Sequence, residues 1–442
     1  MVWTVKHFSW VDGFPFMVRR ERVSEGFPKV LPMRERSEII EKALAERLEE
    51  VLPVAMREAG LDVWLIICQE DDLDPVFETM IPMDTWCPIL QMLIFYDRGP
   101  ELGVERINLS FTDTKDLYDQ PWQGRRHHRE QWMLLRGVVE ERDPERIGIN
   151  TGSIQWAAGG LTHNLYEQLV EALPQRYVDR LVSAEACATR WLATLTGCEV
   201  GLYEHVVKVA HALIAECYSG EAIVPGVTTI RDLVWCYWQR CADLGLSVAF
   251  NPFFTIVRSE AARKLYGEGD EVIRHGDFVR CDVGVEYLGL ITDHQEWCYV
   301  LRPGETDAPE GARRLMAEGN RLQDCFMAGF EGGLTGNEML ARILKDARGK
   351  GLPNPKVYSH SLGHLLHEPG PLIGLPWEQE WNEGRGDVAL EHNYAFTMEL
   401  SVEGPLPEWG GEGFRCALEQ DVVYTAEGCR LIDGRQTCFY LV

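Results

Sequence analysis

Three histidines fall within eight positions of the segment SHSLGHLLHEPG, residues 359–370: His360, His364 and His367. An imidazole can ligate a metal, move a proton near neutral pH or donate to a developing oxyanion. Spacing alone allows His360 and His364 to act as i, i+4 ligands on a helix. That arrangement places a Glu directly after the first histidine, whereas here Glu368 follows the last, and Gly363 and Pro369 oppose a regular helix. For His364 the plainer reading is a packed or hydrogen-bonded histidine.

Four acids stand in strand-like surroundings. Asp282 and Asp293 lie in CDVGVEYLGLITD, Glu399 in AFTMELSV and Glu419 in RCALEQDVVYT. If residues 282 and 293 oppose each other, the pairs 283/292 and 284/291 follow and the turn occupies residues 286–289. Directly opposed side chains have Cβ atoms about 4.5–5.5 Å apart, and two carboxylates that close repel unless they share a proton or a cation. The alternative is two loop acids on a very acidic surface. An acid within a hydrophobic strand is costly to bury unless paired or metal-bound. Four such acids with a histidine segment between the pairs suit a carboxylate-dominated metal site with one imidazole.

Several elements must position these groups. Residues 1–33 carry aromatics without a clear period and are expected to form an arm on the body. A helix is expected over 36–60, strands over 61–68, 89–97, 104–111 and 146–152, and a helix over 154–173. Their alternation predicts an α/β N-terminal domain over 34–189. Helices over 198–218 and 228–246, followed by strands in 249–258, 277–301, 393–402 and 414–425, predict an α+β domain over 190–442. GRRHHREQ, 124–131, reads as a solvated loop. Lys and Arg number 43 against 69 Asp and Glu, a net charge of −26, which opposes binding to nucleic acid or an anionic membrane. The thirteen cysteines are scattered without a CxxC pair, as in a reducing compartment. No signal-peptide core or stretch of about 18 apolar residues shows. A soluble cytoplasmic protein is expected.

The second half resembles the "pita-bread" metallopeptidase superfamily of methionine aminopeptidases, Xaa-Pro aminopeptidases, prolidases and creatinase. Its motif has two Asp eleven residues apart, matched by Asp282 and Asp293. It continues with (G/S)-H-x-(I/L)-G-x-x-x-H-(E/D), matched by SHSLGHLLHE. A T-x-E strand and an E-x-x-V-x-x-T strand follow, matched by Thr397 to Glu399 and by Glu419, Val422 and Thr425. The resemblance implies a pita-bread metallohydrolase domain preceded by a smaller α/β creatinase-type domain, α+β overall. It implies two divalent metal ions held by Asp282, Asp293, His360, Glu399 and Glu419, with Asp293 and Glu419 bridging. Hard oxygen donors favour Mn²⁺ and admit Co²⁺, Fe²⁺ or Zn²⁺. It further implies a metal-bridging hydroxide as nucleophile, Glu399 as proton shuttle, His367 as hydrogen-bond donor to the carbonyl oxygen, and no counterpart role for His364.

The substrate shell departs from the pattern. Leu265 and Tyr266 stand where His-Tyr is expected upstream, and His294, Gln295 and Glu296 follow the second Asp in place of Thr-Arg. Ala417 replaces the arginine two residues before the last Glu, while Arg415 lies one strand step further along the same face. Arg415 and His294 are therefore the candidate substrate contacts. The leading expectation is a Xaa-Pro-type aminopeptidase or dipeptidase acting on small peptides. The alternatives are a pita-bread enzyme for a small non-peptide substrate, such as a creatinase-like amide or amidine hydrolase or a lyase, and a catalytically inactive binding member. A homodimer is expected.

Overall fold

The computed structural model describes residues 26–122 and 128–442. Most of the arm expected at 1–33, and residues 124–127 of GRRHHREQ, lie outside the described residues.

The N-terminal unit is built on a five-stranded sheet. Its central strand, Val63–Gln69, pairs antiparallel with Leu90–Asp97 and parallel with Ile147–Ile149. Val104–Asn108 and Leu181–Ser183 form the edges. VWLIIC is apolar throughout because both faces of this strand are covered. Trp64, Ile66 and Cys68 pack beneath the helices Met33–Glu58 and Glu185–Ala193. Val63, Leu65 and Ile67 pack beneath His128–Arg142 and His163–Ala172. Two expectations are corrected here. The helix expected over 154–173 is a short 3-10 turn, Trp156–Ala158, followed by His163–Ala172. Gly159 and Gly160 separate the two, and a Cβ on Gly160 would lie 2.2 Å from the Asp74 Cγ. The loop expected over 124–131 has already become helix at His128.

In the second unit the helices Gly197–Cys217 and Ile230–Asp243 each open with a reciprocal capping box, Thr196 with Glu199 and Thr229 with Asp232. The strands that follow change sheet midway. Tyr394–Thr397 pairs with Ser359–Leu362 and Asp421–Thr425. After a break at Met398 and Glu399, Leu400–Leu406 pairs instead with Lys356–Val357 and Glu412–Leu418. The second break, at Glu419 and Gln420, parts Glu412–Leu418 from Asp421–Thr425. Opposite them, Phe278–Asp282 belongs to a four-stranded sheet and Val285–Tyr287 to a three-stranded one, parted at Val283 and Gly284. The breaks are sewn together by backbone hydrogen bonds. Met398 donates to the Gln420 carbonyl at 2.7 Å, and Glu419 and Gln295 exchange bonds of 3.2 Å.

The register of the first hairpin also differs from expectation. Trp297 opposes Arg280, Val283 opposes His294, and Leu290 opposes Tyr287. Asp282 thus falls opposite Gln295, and Asp293 opposite Gly284. The turn is Leu288 and Gly289, with φ of 56° and 76°, the positive-φ pair that a tight hairpin demands. A slip of two residues leaves side chains on the same face, so the two aspartates still meet, diagonally rather than directly.

Candidate metal centre

Asp282 ends its strand, Asp293 lies between the strands Leu290–Ile291 and Trp297–Tyr299, and Glu399 and Glu419 occupy the two breaks. His360 comes from the strand Ser359–Leu362, and His367 from the loop beyond it. Ligand atoms of Asp282, Asp293 and Glu419 lie within 4.8 Å of one another, as do those of Asp293, His360 and His367. Asp293 belongs to both groups. Its Oδ2 is 2.9 Å from the His367 Nε2 and 3.6 Å from the His360 Nε2. Glu399 stands outside these two groups, and its Oε1 accepts a hydrogen bond of 2.7 Å from the Gln295 Nε2.

The electrostatics are those of crowded acids. Burial, then Asp293, pushes Asp282 up to about 7. Burial and the charges of Asp293 and Asp282 push Glu399 up to about 8, and burial and the same neighbours carry Glu419 well above the usual carboxylate range. For Asp293 burial acts in the same direction, but the imidazoles of His360 beside it and of His367, hydrogen-bonded to it, outweigh burial and hold the carboxyl below its ordinary value. Asp293 Oδ1 and Glu419 Oε1 are buried without a hydrogen-bond partner. Unpartnered buried oxygens among mutually repelling carboxylates suit divalent cations, which supply the missing positive charge.

Other expected residues fall elsewhere. His364 is buried, its Nδ1 2.9 Å from the Glu199 Oε1; it is a packed histidine, not an i, i+4 ligand. His294, the other candidate substrate contact, lies in the interior. It has no solvent exposure, its ring centroid lies 4.6 Å from that of His211, and its Nε2 is 3.7 Å from the Asp421 Oδ2. Arg415 is exposed and lines a small cavity together with Tyr358, Glu399 and Ser401. Leu265 and Tyr266 end an outward helix, with Leu265 73% exposed. Sequence reasoning passed over Gln295, which holds Glu399, and Phe250, whose ring lies 5.0 Å from that of His367. The only signal for Gln295 was an amide one strand step beyond Asp293. The N-terminal unit reaches the site too: the Gln155 Nε2 donates to the Glu368 carbonyl at 2.9 Å.

Acids gathered at strand breaks beside two histidines, behind an α/β unit, define a two-unit metallohydrolase-type protein. A family model described as metallopeptidase family M24 matches residues 202–426, just over half of the 442 residues, and the chain belongs to that family. It is a metallopeptidase-like, metal-dependent hydrolase. Among solved structures, the X-Pro aminopeptidase of Thermotoga maritima MSB8 shares 17% identity at a TM-score of 0.62, with 88% of this chain and 100% of that one covered. The Xaa-Pro dipeptidase of Bacillus anthracis shares 19% identity at 0.60, with 91% and 100% covered. The prolidase of Pyrococcus furiosus shares 16% at 0.55, with 87% and 100% covered. Identities this low speak for a shared fold. No curated protein matches the chain. Among the described residues no helix is long and apolar enough to cross a membrane.

Proposed function

We propose that the protein is a dinuclear metallopeptidase of the Xaa-Pro type that hydrolyses small peptides. The observation that carries this reading is the double membership of Asp293, whose carboxylate belongs to one ligand group with Asp282 and Glu419 and to another with His360 and His367. In this reading Asp282, Asp293, His360, Glu399 and Glu419 hold two divalent ions, Mn²⁺ first among them because the donors are mostly hard oxygens. The ions, when bound, supply Lewis acidity and a nucleophilic water near neutral pH.

The chain's own groups do the rest. Glu399, fixed by Gln295, takes the proton that water gives up and passes it to the leaving nitrogen. His367, wedged between the rings of Phe250 and His360, donates to the scissile carbonyl as its oxygen gains charge.

Metal analysis and turnover test this together. The purified protein should hold about two ions per chain and, stripped and reloaded with Mn²⁺, should cleave Xaa-Pro dipeptides. Asp293→Ala and Glu419→Ala should each lose most of the metal. Full metal content in both variants, or a single ion in the wild type, rejects the dinuclear reading. One observation favours a second reading, a small non-peptide substrate: the outward helix ending at Tyr266 brings no histidine to the site. Metal-dependent turnover of small amides, without peptide cleavage, would select it.

A further inference from the structure

A cavity of about 450 Å³ lies where the two units meet. The first unit walls it with Ile40 and Leu44 of the helix Met33–Glu58, with the chain just after the strand Val63–Gln69, and with residues between 78 and 87. The second unit closes it with His364 and Leu365. His364 bridges to Leu290, three residues, or about 10 Å of extended chain, before Asp293. None of the metal-site residues lines the cavity, and its volume is that of a small-molecule site.

Three features of the lining ask for the same ligand. The first is His364, which is 2% exposed. Its Nδ1 lies 2.9 Å from the Glu199 Oε1, and a carboxylate held ionised, as Arg47 and His364 hold Glu199, can only accept. The proton therefore belongs on Nδ1. Burial, then the charge of Arg47, lowers the pKa of the ring and keeps it neutral. Nε2 is left as an acceptor, and no group among the described residues donates to it.

The second feature is charge. Glu70, Asp71 and Glu78 line the cavity and have no ion pair, and neither Lys nor Arg lines it. Lys115 is taken by Glu41 and Asp84. Glu286, half-buried on the strand Val285–Tyr287, feels the field: burial, then the charge of Glu78, pushes its carboxyl up. The third feature is Trp86, 67% exposed at the cavity's edge, whose ring face attracts a cation. Among the described residues no set of three metal-ligating groups converges here, so the cation that fits is an organic one.

We propose that this cavity binds a small organic cation, a primary ammonium or guanidinium on a short apolar body. Its N–H groups meet the His364 Nε2 and the rim carboxylates, and its body lies against Trp86 and Ile40. Because both units wall the cavity, the ligand bridges them. The assignment stands apart from the peptidase reading.

Calorimetry on the metal-loaded, full-length protein tests it with benzylamine, benzyl alcohol and benzyltrimethylammonium. Benzylamine should bind about 10-fold more tightly than benzyl alcohol and more weakly as salt is added. Benzyltrimethylammonium, charged but without an N–H, should fall between. Trp86→Ala and the double variant Glu70→Gln, Glu78→Gln change exposed positions and should each weaken benzylamine by about 3- to 10-fold. Asp293→Ala, which should lose metal, should bind benzylamine as the wild type does. No binding of benzylamine, benzyl alcohol bound equally well, or undiminished affinity in both rim variants overturns the assignment. Loss of binding in Asp293→Ala also overturns it, by placing the amine on the metal centre. Equal binding of the two cations overturns the part given to His364.

Discussion

His364 Nδ1 lies 2.9 Å from the Glu199 Oε1, so the middle histidine of SHSLGHLLHE faces the N-terminus of the helix Gly197–Cys217 rather than the metal-site acids. Glu199 closes the capping box of that helix with the N-cap residue Thr196 and also receives Arg47, whose Nη1 is 2.9 Å from its Oε2.

The three histidines should therefore fail in three different ways. His360→Ala should lose metal. His367→Ala should keep metal and lose about 10²–10⁴-fold in turnover, the usual worth of a positioned acid or base. His364→Ala should keep metal and cost about 1–3 kcal/mol of stability, the penalty for leaving a buried acid short of a partner. Metal analysis, kinetics and urea unfolding separate the three. Loss of metal in His364→Ala with retention in His360→Ala would show the motif to be shifted by one turn.

Arg47 should matter more to stability than any surface pair. It has no exposure, and its helix, Met33–Glu58, belongs to the N-terminal unit, so the ion pair with Glu199 ties the two units together. Burial alone would raise the Glu199 carboxyl, but Arg47 and His364 hold it down at about 2. Arg47→Met should cost about 3–5 kcal/mol by stranding a buried charge. The double variant with Glu199→Gln should recover part of the loss. Urea unfolding of the set checks this, and equal stability of Arg47→Met and wild type would refute it.

Gly284→Ala should damage the site through the backbone. A Cβ there would sit 1.9 Å from the Thr292 carbonyl oxygen and 3.0 Å from the Phe250 Cε1. Thr292 precedes Asp293, and Phe250 packs on His367. Relief of the clash must move one or both, so a stability loss of about 1–3 kcal/mol should come with reduced metal occupancy. Calorimetric melting and metal analysis on one preparation give both readings. A normal melt with full metal would show that the strands absorb the methyl group.

Asp74 should leave a signature in the pH dependence of stability. It caps the helix Pro75–Glu78, accepts from the Asn150 Nδ2 at 2.8 Å and is fully buried. Burial pushes its carboxyl up to about 6. The folded state therefore holds a proton that the unfolded chain releases near its ordinary value. The stabilisation is complete below about pH 4 and is lost as pH rises through 6, about 3 kcal/mol in all. Relative to Asp74→Asn, which has no proton to lose there, the wild type should weaken by that amount between pH 4 and 7. A constant difference would refute the buried, protonated acid.

Much of this was legible in the sequence. The acids Asp282, Asp293, Glu399 and Glu419 stood out within apolar, strand-like runs, while the choice of His360 among the three histidines came from the resemblance. That mismatch is local, because a charged group among buried neighbours must be compensated wherever the strand lies. The helices at 197–217 and 230–243 were legible for the same reason: their caps and apolar stripes are short-range features. Long-range facts were not. AFTMELSV and RCALEQDVVYT read as unbroken strands because nothing in their local pattern marks the change of sheet at Met398 and Gln420. The hairpin register was missed because its turn places Leu288 at positive φ, a conformation Leu adopts only when tertiary packing holds it there.

Residue types, and the order of the metal-site acids along the chain, were set by the sequence alone. Which oxygens share Asp293 and which histidine turns to Glu199 were decided by the tertiary structure. Those relations join side chains from separate sheets and helices, and only the packing of the elements sets the distances between them.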